Sequence, residues 1–223
     1  GRPNPIQLDL ADIPLGTELS YFMRWYVELL GSTRREGGDW RSVVDGMRPF
    51  SQRIWREWPL TARRRFLSHL KPWWDVHRHR IAPDIHARLR DAIADGRLRI
   101  LAGKVVDGKA LDKGRTALRF RPRATGVLET LDCDCVIDCT GVVRDLSRSE
   151  NPLLASLFAQ GLVRSDALGI GLDVTETCQL VDRAGVPSQR LHAIGPVTRG
   201  AFFEIEAVPD IREQARRLAT VLA

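Results

Sequence analysis

Arg199, Glu204 and Glu206 stand close together between Gly195 and Pro209, with Phe202 and Phe203 among them. A guanidinium there is suited to gripping a carboxylate or a phosphate, and a carboxylate beside it to giving or taking a proton. Loops that carry this much functional chemistry tend to lie where a scaffold presents them to a ligand. The plainer alternative is that Arg199 and Glu204 pair with each other while the phenylalanines pack. The cysteines offer less. On a strand, Cys135 and Cys139 would be ~13 Å apart, beyond disulfide reach. The Cys133-x-Cys135 pair lacks zinc-ligand spacing and a second pair, so buried reduced thiols are the preferred reading. His77 and His79, near His69 and His86, have no acidic or thiol partner to complete a metal set. No Gly-x-Ser-x-Gly elbow, P-loop or His-Glu-x-x-His sequence occurs. The sequence therefore nominates no metal site and no catalytic side chain.

Two segments end in glycine where a ligand can approach. Val136, Ile137 and Cys139 make the apolar run of a buried strand stopped by Thr140-Gly141, and Leu191-His-Ala-Ile194 runs into Gly195-Pro196. Open α/β sheets bind ligands at such strand ends. None of the 18 glycines forms the Gly-x-Gly-x-x-Gly turn that receives a pyrophosphate; Gly169-Ile-Gly171 comes nearest, with Val174 in the third position.

The segment Gly195-Pro-Val-Thr-Arg-Gly-Ala-Phe-Phe-Glu204 with Ala207-Val-Pro-Asp-Ile-Arg212, the run Phe66 to Arg80 and Gly169-Ile-Gly-Leu-Asp173 together carry a resemblance over most of the chain. The chain resembles the bacterial FAD/NAD(P)-binding oxidoreductases, a largely uncharacterised group near the flavin-dependent amine N-hydroxylases and monooxygenases. The resemblance implies FAD as cofactor, NAD(P)H as its reductant and a small-molecule substrate, while the reduced-thiol reading of the cysteines goes with a cytoplasmic location. It places Thr140, Gly141, Gly195, Pro196, Arg199, Glu204, Val208 and Pro209 at the cofactor. It also implies that Val208-Pro209 opens a helix whose positive end faces the flavin and steadies its reduced anion. Where the wider superfamily has Gly-Asp, with the carboxylate on a ribityl hydroxyl, this chain has Gly195-Pro196, so that contact falls to backbone or another side chain. The absent glycine-rich turn and the start at Gly-Arg-Pro lead us to expect a C-terminal portion whose N-terminal half lies elsewhere, inactive by itself and able to self-associate to cover sheet edges and apolar surface.

With 223 residues, 43% of them hydrophobic, the chain can bury a core, and no apolar run approaches the ~18 residues of a membrane span. The net charge of +6 is uneven, because Arg48 to Arg99 holds 13 Lys and Arg against 5 Asp and Glu. Trp55, Trp58, Trp73 and Trp74 lie in the same stretch. Basic residues interleaved with aromatics define the alternative function, a non-enzymatic module binding nucleic acid or a protein partner. The helical spacing of the aromatics favours instead a solvated basic face over a tryptophan core, and attraction of NADPH phosphates is a third use.

The periodicity defines the elements that would position these residues. Leu19, Phe22, Met23, Tyr26, Leu29 and Leu30 predict a helix stopped by Gly31; Asp39 caps a second through Met47; Thr61 caps a third running to Pro72. A helix from Pro83 to Gly96 precedes a β-meander punctuated by Asp107-Gly108, Lys113-Gly114 and Thr125-Gly126. Asn151-Pro152 opens a helix closed by Gly161, short strands follow near 171–174 and 178–181, and a last helix starts at Pro209. The expected fold is α/β: a helical subdomain over 1–82, then, over 83–223, the C-terminal part of a Rossmann-like FAD-binding domain with its meander.

Overall fold

The computed structural model describes residues 4–139 and 145–223 and shows where the local signals hold. It is a mixture of helix and strand, as expected. Asp39 does cap α2 (Trp40–Met47), its carboxylate accepting from Arg41 N. Asn151 caps α7 (Pro152–Ala159) through Leu153 N and Leu154 N, and Gly161 closes it at φ 71. Capping of this kind is local chemistry, so it reads out of sequence.

Other boundaries move. α1 (Leu19–Arg35) runs through Gly31 and is closed by Gly37 at φ 80, because a single helical glycine costs only ~1 kcal/mol, which packing can override. α3 (Ser51–Glu57) is additional, and α4 (Leu60–Arg65) starts after Pro59, which places Thr61 inside the helix and not at its cap. The helix does not stop at Pro72 either. A π-helical segment, Phe66–Leu70, leads into α5 (Lys71–Arg78), and Pro72 falls in the first turn of α5, where its missing N–H is tolerated.

The chain forms two units, Gly1–Arg80 with Val143–Ala223, and Ile81–Val142. The second unit begins at Ile81, and the N-terminal helices share their unit with the C-terminal segment. Long-range contacts explain the grouping: Trp55 Nε1 donates to Gly200 O at 2.9 Å, Arg64 Nη2 to Ala167 O at 3.0 Å, and Arg48 meets Asp210 at 3.4 Å. The first unit has two cores. One gathers Phe22, Met47, Ile54, Trp55, Trp58, Phe66 and Phe203. The other gathers Val163, Leu172, Val174, Cys178, Leu180, Phe202 and Ile205.

In the second unit, α6 (Pro83–Ala94) precedes β1 (Gly103–Ala110), β2 (Thr116–Pro122) and β3 (Glu129–Cys133), an antiparallel meander in the order β1-β2-β3 as expected, except that Asp107-Gly108, read as a turn, lies inside β1 at a bulge after Val105. Among its described residues only Phe120 is a buried hydrophobic. The strand expected over Cys135–Cys139 is not formed: β3 ends at Cys133, and Ile137 is 79% exposed. A buried strand needs ladder partners, and the ladders of the three-stranded sheet do not extend past Cys133. In the first unit, β4 (Gln179–Val181) and β5 (Pro187–His192) form an antiparallel hairpin, and bridges join Ser165 to Leu172 and Val174 to Leu180. The last helix is α8 (Val208–Leu222).

Candidate functional site

The expected site residues Thr140 and Gly141 lie outside the described residues. The other six stand on one stretch, between the end of β5 and the start of α8. Gly195 takes φ 79, the left-handed region that favours glycine, and its N–H donates to Gln214 Oε1 on α8 at 2.7 Å. A Cβ there would meet Ile211 at 3.9 Å, so the turn lies directly against α8. Gln214 also donates to Thr198 Oγ1, which donates in turn to Gly195 O at 2.8 Å. This buried network satisfies its members internally and fixes the turn. Gln214 and Thr198 were not legible in the sequence, since neither belongs to a motif.

Arg199 and Glu204 are committed to the scaffold. Arg199 Nε donates to Ile170 O, binding the turn to the Gly169-Ile-Gly171 segment. There Asp166 accepts from Leu168 N, Ile170 N and Gly171 N at 2.7, 2.9 and 2.5 Å. A Cβ on Gly171 would stand 2.5 Å from Val197 O, and one on Gly200 would run into the Asp166 carboxylate. Both glycines therefore serve close backbone approach within the protein. Glu204, at φ 61, accepts from Trp74 Nε1 at 2.7 Å and pairs with Arg78 at 3.4 Å, a contact without hydrogen-bond geometry. Non-glycine residues in this backbone region are strained and are held by their surroundings. Phe202 and Phe203 pack, as the plainer reading had it, but into different cores. Phe203 stacks on Trp55 with centroids 4.6 Å apart.

What this stretch presents outward is mainly apolar side chains, beside the exposed Glu206. Ile194, Pro196 and Pro209 are exposed, and Val208 is 77% exposed at the start of α8, whose N-cap Ala207 offers no side-chain acceptor. Along the same helix lies a cleft of about 410 Å³ with Cys178, Phe202 and Gln214 in its wall. That volume is in the range of small-molecule sites. The rim arginines are paired, Arg48 with Asp210, Arg56 with Glu176 and Arg217 with Glu213. Burial pushes the Cys178 thiol pKa up, against a hydrogen bond with Gln214.

The basic stretch is likewise engaged at many points. Arg53 pairs with Glu57, Arg80 with Asp45 and Arg78 with Glu204, and Arg63 donates to Trp58 O and Arg56 O. Burial lowers the Arg63 pKa. This supports the solvated and structural reading of the charge over a phosphate-binding surface. Of the tryptophans read as core, Trp55 and Trp58 are buried, whereas Trp73 is 69% exposed. His77 packs edge-on to Trp40, and its Nδ1–H donates to Trp73 O. Among the described residues no group of His, Cys, Asp or Glu is placed to hold a metal, and no helix is long and apolar enough to cross a membrane.

No protein-family model and no solved structure matches the chain. It is similar to uncharacterized proteins of Mycobacterium bovis and of two strains of Mycobacterium tuberculosis, at 28% identity over 151 residues. The matched region is 64% of this chain and 27% of each relative, so the chain spans only about a quarter of the length of the curated relatives it matches.

Proposed function

We propose that the chain is part of an FAD-dependent oxidoreductase reduced by NAD(P)H, and that the exposed start of α8 with the Gly195-Pro196 turn is its flavin-facing surface. The observation that carries this reading is an uncapped helix N-terminus, with Val208 and Pro209 exposed, held against a positive-φ glycine at the end of β5. The positive end of the helix dipole suits an anionic ligand, and the exposed Val208 and Pro209 beside it suit a flat ring. The donor set fits in part. Val208, Pro209, Gly195 and Pro196 lie together at the end of β5 and the start of α8, which supports assigning them to the cofactor, while Arg199 and Glu204 act in this reading by holding the turn and not by touching cofactor. FAD would supply hydride acceptance and onward electron transfer to oxygen or to a small-molecule substrate.

In this reading the Rossmann-like sheet is completed by further polypeptide that brings the glycine-rich turn. Two observations favour that: the relatives are far longer, and the second unit leaves Ile85, Leu89, Ile93, Ile100 and Ile137 exposed. Self-association through the same surfaces would be the substitute in the isolated chain.

Titration with FAD, followed by quenching of flavin fluorescence at low and moderate salt, tests the assignment. Saturable binding that tolerates salt is expected. Val208→Glu should weaken it at least tenfold, because a carboxylate at that helix end repels the anion while leaving the helix itself favoured. If FAD does not bind, or binds equally to Val208→Glu, this surface is not the flavin site.

A further inference from the structure

The cleft along α8 shares no residue with the surface assigned to flavin, so the two sites stand or fall separately. Arg48, Arg53, Arg56 and Arg217 all line it. Three of these have a carboxylate within hydrogen-bond distance. Arg48 donates to Asp210 at 3.4 Å, Arg53 to Glu57 at 2.8 Å and Arg217 to Glu213 at 2.8 Å. Arg56 is the exception. Glu176 Oε1 stands 3.8 Å from its Nη1, too far for a hydrogen bond, and no other acceptor among the described residues takes a bond from this guanidinium. Glu176 lines the cleft as well, which puts the charged end of Arg56 at the cleft and not behind it.

The mismatch is easily relieved. The Arg56 side chain is only 33% exposed, so water solvates it incompletely, whereas that of Glu176 is 81% exposed. A loose pair with one partner so exposed contributes little and opens readily. A guanidinium presents a planar fork of donors that a carboxylate meets with two parallel bonds of about 2.7–2.9 Å. A ligand carboxylate in the fork of Arg56 is therefore a better partner than the one the chain itself supplies.

We propose that this cleft binds a small organic monocarboxylate with an apolar body, held by Arg56 in place of Glu176. The volume of about 410 Å³ suits a whole small molecule. Pro49 on one wall, with Leu218 and Val221 on α8, gives the body apolar surface that is not sealed in the core, Val221 being 57% exposed. The remaining charges limit the head group. Asp210 and Glu213 stand at the same cleft with their charges offset by Arg48 and Arg217, so one added negative charge is balanced by Arg56 and a second is not. That disfavours a dianion such as a phosphate monoester.

The probes are 3-phenylpropionate and its uncharged amide, titrated calorimetrically into the 223-residue chain at low salt. The carboxylate should bind saturably, about tenfold tighter than the amide, and more weakly as salt is raised. In ¹⁵N spectra of the labelled chain, the backbone amides of Glu176, Thr177 and Cys178 should shift along the same saturation curve. Arg56→Met keeps an aliphatic stem and should bring the carboxylate down to the level of the amide. Glu176→Gln removes the competing carboxylate at an exposed position and should tighten binding about threefold, a gain that a general loss of structure does not produce. The proposal fails if the carboxylate does not bind or binds no tighter than the amide. It fails too if a folded Arg56→Met binds it as wild type does, or if Glu176→Gln does not tighten it. Should Arg56→Met not fold, the amide comparison and Glu176→Gln decide.

Discussion

At the scale of single residues, Tyr26 gives the clearest dependence on solution conditions. Tyr26 packs against the first core, and burial pushes its pKa up to about 12 from 10.0. The folded chain therefore holds this proton where the unfolded chain has lost it. The stabilisation is complete below the unfolded value and is lost as pH rises through the interval from about 10 to about 12, on the order of 2 kcal/mol in all. Urea unfolding across that interval should show the decline, and Tyr26→Phe should reduce it. Gly171 and Arg199 show what sequence can and cannot say at this scale. Both belong to the segments that carry the family resemblance, and both proved to be placed by special geometry. Their partners, Val197 O and Ile170 O, are backbone atoms brought in by the fold, and no residue type announces a carbonyl. Arg199 and Glu204 read equally well as ligand groups or as scaffold, because a charged side chain looks the same in sequence whichever it serves.

At the scale of elements, legibility followed the range of the signal. The α7 start was legible because Asn151, Pro152 and Gly161 each act within a turn of the helix they define. Asn151→Ala should lower stability by about 1 kcal/mol through loss of the cap, measurable as a shift of the denaturation midpoint with an unchanged slope. The meander was legible for the same reason, its turns being marked by Gly114 and Gly126, both at positive φ. The π-helical segment was not. Its five residues have ordinary helical spacing, and Phe66 at its start packs against Trp55, Trp58 and Phe203, neighbours that no local pattern encodes. Likewise Cys135 to Cys139 has the composition of a buried strand, yet composition cannot supply the neighbouring strands that would bury it.

At the scale of the whole molecule, the first unit is built from chain segments far apart in sequence, and the joint is two consecutive residues. Phe203 completes the core of the N-terminal helices, and Phe202 that of the C-terminal segment. Two cores pinned through one peptide bond should melt together, so the first unit is expected to unfold in a single transition. Phe203→Ala should cost about 3–5 kcal/mol and move signals from both cores at once, with buried tryptophan fluorescence reporting one and amide exchange in β4 and β5 the other. Had the helical stretch been self-contained, as its even spacing of apolar residues implied, the loss would be confined to the tryptophans.

The same joint bears on how the chain is made. A ribosome adds roughly 5–20 residues each second. Phe66 therefore leaves the ribosome roughly 7 to 27 seconds before Phe203, the ring that stacks on Trp55, does so. Throughout that interval the nascent helices carry an aromatic surface with nothing to close it, the kind of surface that chaperones hold. Supply of the protein is thus tied to the wait for a distant phenylalanine, and slowing translation between the two would lengthen the period in which the newborn chain is open to aggregation.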